Sequence, residues 1–178
     1  MFLSIRDMEL RKLRFDEALA PGRIEFYESH LIQVSDLEVK GTAELISGTE
    51  EIHVRGHLKV LMEGECDRCL EATPIAVDRD FDLIYAPDEE SALGEEIEIR
   101  EADADIGFYS GPGLELSDVL LEQVLLALPM QRVCSESCKG ICPACGHNRN
   151  LVDCGCHRVA ADHGSPVLDN RWSVLKDL

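Results

Sequence analysis

The sequence predicts an α+β fold: an N-terminal antiparallel β-sheet domain, one central helix and a C-terminal Cys-rich module. Three observations predict it. Much of the segment 37–85 alternates apolar and polar side chains, and period two marks strands with one wet face. Within residues 114–128, Val119, Leu120, Val124 and Leu128 fall on nearly one helical face. Six of the eight cysteines lie between residues 134 and 156. The expected division is an acidic, mostly β domain at 1–130 with its helix at 117–128, then a Cys-rich module at 131–178.

Taken in order, residues 24–27 are a short strand candidate. Residues 37–46 and 52–61 alternate on either side of Ser47-Gly48-Thr49, a turn signal, so the pair reads as a hairpin. Residues 74–85 continue the alternation. The segment 88–105 carries nine acids against one Arg, and self-repulsion favours an extended, solvated loop there; a docking surface for a basic partner is the sharper alternative. In the central helix Ser117 is placed to cap the first turn and Asp118 suits its positive end, while Pro129 closes it. A short final helix is expected from Asp169, with Trp172, Leu175 and Leu178 at three-residue spacing.

Charge and composition limit what the chain can do. Its 178 residues hold 17 bases and 35 acids, a net charge of −18. The excess is uneven: 11 bases against 30 acids in 1–130, and six against five in 131–178. A broad electrostatic grip on phosphate backbones needs clustered Lys and Arg, so it is excluded as the main mode of action. No run approaches the roughly 20 apolar residues of a membrane span. The first residues break into charge at Arg6 and Asp7, too soon for a signal peptide, and the expected location is the cytoplasm, with no membrane partner.

In a reducing compartment, eight spaced thiols point to metal rather than to disulfides. Cys142-Pro143-Ala144-Cys145-Gly146 has the form of a zinc knuckle: two thiolates at a tight turn reach one ion, and the following Gly frees the backbone to bend. Cys154 and Cys156 can complete a tetrahedron. Cys134 and Cys138 can join the distant Cys66 and Cys69 in a second site, so one or two structural Zn²⁺ ions are expected. His147 and His157 are possible substitute ligands. A catalytic zinc keeps an open position beside a general base, and the sequence shows no HExxH, nucleophile elbow or P-loop. No catalytic residue or organic cofactor is therefore assigned. The alternative is a zinc- or dithiol-dependent enzyme or redox protein built on Cys66-Asp67-Arg68-Cys69.

Several of these pieces occur together in a known order. Gly56 precedes Cys66-Asp67-Arg68-Cys69-Leu70-Glu71. Glu122-Gln123-Val124-Leu125-Leu126-Ala127-Leu128-Pro129 follows, and after it come Cys134, Cys138-Lys139-Gly140-Ile141-Cys142-Pro143-Ala144-Cys145-Gly146, Asn148, Asn150 and Cys154-Gly155-Cys156. Asp169-Asn170-Arg171-Trp172 and Leu175 end the series. From about residue 37 onward the chain resembles the YceD family, named for accumulation of large-subunit ribosomal RNA. It departs at Ile141, where Leu is usual, at Arg149, and at Asn170, where Pro is common; none of these removes a thiol. The resemblance implies a bacterial, cytoplasmic, non-enzymatic factor for 23S rRNA accumulation and large-subunit biogenesis. Its implied partners are a basic large-subunit ribosomal protein or a pre-ribosomal particle, or rRNA touched through the C-terminal module.

Overall fold

The computed structural model describes residues 1–27, 30–88 and 106–156. In chain order the elements are β1 (Phe2–Ser4), α1 (Ile5–Leu10), β2 (Leu13–Leu19), β3 (Leu31–Gln33), β4 (Leu37–Leu45), β5 (Ile52–Glu65), β6 (Ala72–Pro87), β7 (Ile106–Tyr109), β8 (Gly113–Glu115) and α2 (Leu116–Ala127). The chain is thus mixed α+β, with a sheet-rich N-terminal part and few helices.

Alternation builds the sheet. Along β5, Ile52, Val54, Leu58, Val60 and Met62 are buried, whereas Arg55, His57 and Lys59 are exposed. β6 pairs with it antiparallel in one unbroken register from Ile52↔Tyr85 to Glu65↔Ala72. A slip of one residue would turn every one of these apolar side chains to water, which is why the register holds over so long a pair. The order is β2-β4-β5-β6-β7, and β3 pairs with the far end of β5. Between Gln33↔Met62 and Glu38↔Lys59, residues 34–37 stand opposite only residues 60 and 61. This bulge is held by two N–H donors, Val34 and Ser35, on the Leu61 carbonyl at 2.9 and 3.3 Å, and by the Leu61 N–H on Ser35 Oγ at 2.9 Å.

One row across the sheet explains Gly56. Phe15 on β2 faces Gly41 on β4, which faces Gly56 on β5, which faces Phe81 on β6. A Cβ on Gly41 would lie 2.5 Å from the Phe15 ring, and one on Gly56 would lie 2.6 Å from the Phe81 ring. The two rings occupy the space that the glycines leave, and both are buried. Their burial contributes about 1.5–3 kcal/mol each.

The inner face is closed by β1 paired with β8 and by α2, whose Leu116, Val119, Leu120 and Val124 join the core with Leu37, Val39, Leu58 and Met62. The outer face is a lattice of polar pairs, among them the ion pairs Lys40–Asp16 at 3.2 Å and Arg55–Glu44 at 3.1 Å, a His57–Asp80 hydrogen bond at 2.9 Å, and His53 bonded to Asp82. No helix among the described residues is long and apolar enough to cross a membrane.

The structure differs from the sequence reading at several points. Residues 24–27 form no strand, although Ile24 is buried in the core and the half-buried Phe26 packs against it; those two inward side chains are what the apolar signal reported. The sheet is not wholly antiparallel, because β7 runs parallel to β6. Such pairing needs a long crossover, and residues 88–105 provide the length. Ser117 does not cap α2. The N-cap is Glu115, which makes no side-chain cap bond, and Ser117 sits inside the first turn. Five strands, β1, β2, β3, β7 and β8, and the short helix α1 were not anticipated. Residues 89–105, the final helix expected from Asp169, and His157 lie outside the described residues.

Candidate metal centres

The long β5–β6 hairpin ends in Cys66-Asp67-Arg68-Cys69-Leu70-Glu71. There the Cys66 N–H donates to the Glu71 carbonyl at 2.9 Å, and the Leu70 N–H donates back to the Cys66 carbonyl at 2.8 Å. Around Cys142 the same two bonds recur: Cys142 N–H to the His147 carbonyl and Gly146 N–H to the Cys142 carbonyl, each at 2.8 Å. Both turns put the residue after the second cysteine in the left-handed region, Leu70 at φ +63° and Gly146 at φ +72°. The two CxxC segments are therefore one backbone device used twice. Glycine adopts it without strain and leucine does not.

The thiols gather in two sets of four. Cys66, Cys69, Cys134 and Cys138 form one; Cys142, Cys145, Cys154 and Cys156 form the other; in each, all sulfurs lie within 4.8 Å of one another. In the first set Cys66 and Cys138 are 3.9 Å apart, and Cys69 and Cys134 are 3.7 Å apart. Tetrahedral zinc with bonds of about 2.3 Å needs sulfur–sulfur edges of about 3.8 Å, so the spacing and the donor chemistry fit that ion. Neither set includes His147, which is exposed.

Hydrogen bonds lock the sets to the sheet and to each other. The Asp67 N–H donates to the Arg132 carbonyl, and the Arg132 N–H donates to Asp67 Oδ2, both at 2.7 Å. This clamp brings Cys134 to the hairpin tip. The Arg68 guanidinium donates to the carbonyls of Glu136 and Cys138 at 3.2 and 3.4 Å. Arg68 also accepts the Ile141 N–H at 2.8 Å. Gly140 must be glycine for this approach: its φ is +68°, and a Cβ would lie 2.8 Å from the Arg68 carbonyl oxygen. Asn148 and Asn150 act from the second segment on the first. Asn148 Nδ2 donates to Glu71 Oε1 at 3.1 Å, and Asn150 Nδ2 donates to Cys138 Sγ at 3.2 Å.

The electrostatics are those of crowded sulfur. Burial pushes the Cys66 thiol up, but the backbone N–H groups of Cys134, Arg68 and Cys69 outweigh it and bring the thiol down to about 6. The Asn150 amide, with smaller help, holds Cys138 below the ordinary thiol range. The Glu71 N–H favours a Cys69 thiolate, yet burial and the sulfurs of Cys66, Cys138 and Cys134 carry that thiol up to about 12. In the second set the N–H groups of Ala144 and Cys145 bring Cys142 down to about 6, while the sulfurs of Cys145 and Cys154 push Cys156 up to about 12. Each set thus holds some thiols below the ordinary range and others above it, and so resists full ionisation. A divalent cation at the centre removes that resistance and draws the remaining protons off.

Fold and site define a class: an α+β protein whose hairpin tip and C-terminal segment share a cysteine tetrad beside a second, local one. The chain belongs to the YceD family, described as the large ribosomal RNA subunit accumulation protein YceD, which matches residues 54–178. It is 30% identical over 166 residues to uncharacterized proteins of Mycobacterium tuberculosis and Mycobacterium bovis, covering 92% of this chain and 72% of theirs. It is 25% identical over 162 residues to the chloroplastic large ribosomal RNA subunit accumulation protein YCED homolog 1 of Arabidopsis thaliana, covering 74% of this chain and 48% of that one. No solved structure matches the chain.

Sequence reasoning had named all eight thiols. It missed the clamp residues Asp67 and Arg132, and it missed the role of Asn150 as a donor to sulfur. Only the spacing Cys138 to Asn150 hinted at the latter, and a twelve-residue separation has no local geometry to read.

Proposed function

We propose that this protein is a non-enzymatic factor for accumulation of 23S rRNA and biogenesis of the large ribosomal subunit, acting by holding a basic protein partner. Family membership supports the ribosomal role. The charge distribution supports the partner class: residues 1–130 carry 30 acids against 11 bases, a field that attracts cationic surfaces and repels a phosphate backbone. Each cysteine tetrad holds a structural Zn²⁺, ligated by Cys66, Cys69, Cys134 and Cys138 in one case and by Cys142, Cys145, Cys154 and Cys156 in the other. Four thiolates fill a tetrahedral ion, as in sites that stabilise a fold rather than bind substrate. The zinc fixes the C-terminal segment on the hairpin tip, so the acidic sheet and the Cys-rich segment present one surface.

The test is the ratio of large- to small-subunit rRNA after depletion of the protein in its own host. A selective fall in the large-subunit species is expected; an unchanged ratio overturns the role. Binding to purified large-subunit proteins should weaken as salt rises. Salt-insensitive binding, or preferential binding to naked rRNA, overturns the partner class.

A further inference from the structure

One short loop serves both cysteine sets. Residues 146–153 join Cys145 to Cys154 inside the second set, yet their polar groups reach the first. Asn150 Oδ1 accepts the Lys139 N–H at 2.8 Å, and Asn150 Nδ2 donates to Cys138 Sγ at 3.2 Å. The Arg149 N–H donates to the Gly140 carbonyl at 2.9 Å. Asn148 Nδ2 crosses to the hairpin tip, donating to Glu71 Oε1 at 3.1 Å. Asn150 thus holds the backbone of residue 139 by its oxygen and the sulfur of residue 138 by its nitrogen.

That grip lasts only while the loop stays in place, and burial does not keep it there. Residues 143–156 are all exposed or half-buried, with Leu151 75% and Val152 49% exposed. The bonds inside the loop are those of a small solvated turn. The Asn150 N–H donates to Asn148 Oδ1 at 2.9 Å, and the Leu151 and Val152 N–H groups donate to the Asn148 carbonyl at 3.2 and 3.0 Å. Water competes for each of them, so their net contribution is small. A segment without a core of its own takes a fixed shape from a metal ion when four thiolates surround one. Here those thiolates flank the loop, Cys142 and Cys145 before it and Cys154 and Cys156 after it. An ion among them fixes both ends of the loop, and with them the position of Asn150.

The first set benefits from that position. Its sulfurs are anionic when they bind a divalent cation, and a hydrogen bond to an anionic acceptor is about twice as strong as one between neutral groups. Partners that donate to metal ligands change affinity by about 10–100-fold when removed.

We infer that the two metal sites are coupled: an ion in the second set raises the affinity of the first by holding Asn150 on Cys138, and an ion in the first raises the affinity of the second in return. The return effect follows from thermodynamic linkage. The inference rests on the zinc reading above and adds to it that the two ions do not bind independently.

The test uses the full-length chain under reducing conditions, stripped of metal and loaded with Cd²⁺, whose own NMR signal reports each set separately. The signal that Cys66→Ser alters belongs to the first set, and the one that Cys142→Ser alters belongs to the second. Titration with a chelator then reads the affinity of each. Asn150→Ala should weaken the first set about tenfold in the otherwise intact chain. Disabling the second set with Cys142→Ser and Cys145→Ser together should weaken the first by a similar factor, and adding Asn150→Ala to that chain should cost less than about twofold more. Asn150→Asp keeps the size and an oxygen for the Lys139 N–H while removing the donor to sulfur. It should lose at least as much as Asn150→Ala, and it carries the test if that variant does not fold. Leu151→Ala, in the same loop, should cost less than about twofold. An equal cost of Asn150→Ala with and without the second set overturns the coupling while the zinc reading stands, and so does a first set indifferent to loss of the second. A Cd²⁺ signal outside the range of four thiolates overturns the zinc reading for that set, and the coupling with it.

Discussion

Gly140 sets the distance between the two tetrads, and its replacement by alanine has a cost that can be worked from the structure. Two terms contribute. The left-handed backbone, φ +68°, costs an L-residue about 1–2 kcal/mol. The new Cβ would stand 2.8 Å from the Arg68 carbonyl oxygen, backbone that already accepts the Ile141 N–H, and relief of such overpacking costs about 1–3 kcal/mol. Gly146 isolates the first term: its φ is +72°, yet a Cβ there would meet nothing within 4 Å. Gly140→Ala should therefore destabilise by about 3 kcal/mol and Gly146→Ala by about 1 kcal/mol. In thermal melts of the zinc-loaded chain, that corresponds to falls of about 6–12 °C and about 2–4 °C. Equal losses for the two variants would falsify the close approach of Gly140 to the hairpin tip, and with it the account of how the tetrads are held together.

Other expectations are as direct. Native mass spectrometry should find two zinc ions per chain, falling to one in Cys66→Ser and to one in Cys142→Ser; an unchanged count of two in either variant rules out its assigned set. Leu70→Gly relieves about 1 kcal/mol of left-handed strain against about 0.5 kcal/mol of added chain entropy, so a small rise in melting temperature is expected, and a fall would show that the exposed leucine packs on something. Gly107→Ala forces a Cβ to within 2.6 Å of the Tyr85 ring, a loss of about 1–3 kcal/mol; in a Tyr85→Leu background the same change should cost much less, and an equal cost would break the pairing. Burial, with the Glu122 charge, raises the Tyr85 phenol above its usual range. Its neutral form therefore stabilises the fold below about pH 10, and that contribution fades as pH rises through the folded value. Tyr85→Phe should flatten the alkaline loss of stability, and an identical alkaline profile would argue against it.

The long hairpin was legible because its cause is local: alternation from residue 52 to 61 and from 74 to 85 carries its own register. The thiols were legible because cysteine announces its chemistry. What escaped was decided by contacts between distant residues. β2 reads Leu13, Phe15, Leu19 on its inner side, but Glu17 interrupts the pattern, and only its pairing with β4, from Leu13↔Ala43 to Leu19↔Leu37, makes it a strand. Pairing with β6 likewise fixes β7 as a parallel strand, which four residues cannot specify alone. Leu70 stands where a knuckle favours glycine, so its left-handed turn leaves no mark in composition.

The two tetrads differ in the length of chain each must close. Between Cys145 and Cys154 lie eight residues, and between Cys69 and Cys134 lie 64. Three doublings of loop length, at about 0.6 kcal/mol each, make the second closure about 2 kcal/mol more demanding. On the zinc reading proposed above, the local set can therefore capture an ion while the rest of the chain is still unfolded. The distant set must wait until the hairpin has formed and α2 has docked. An ion seated there would act as a clasp, tying the tip of the β5–β6 hairpin to the segment after α2 and reporting, by its occupancy, that the two have come together.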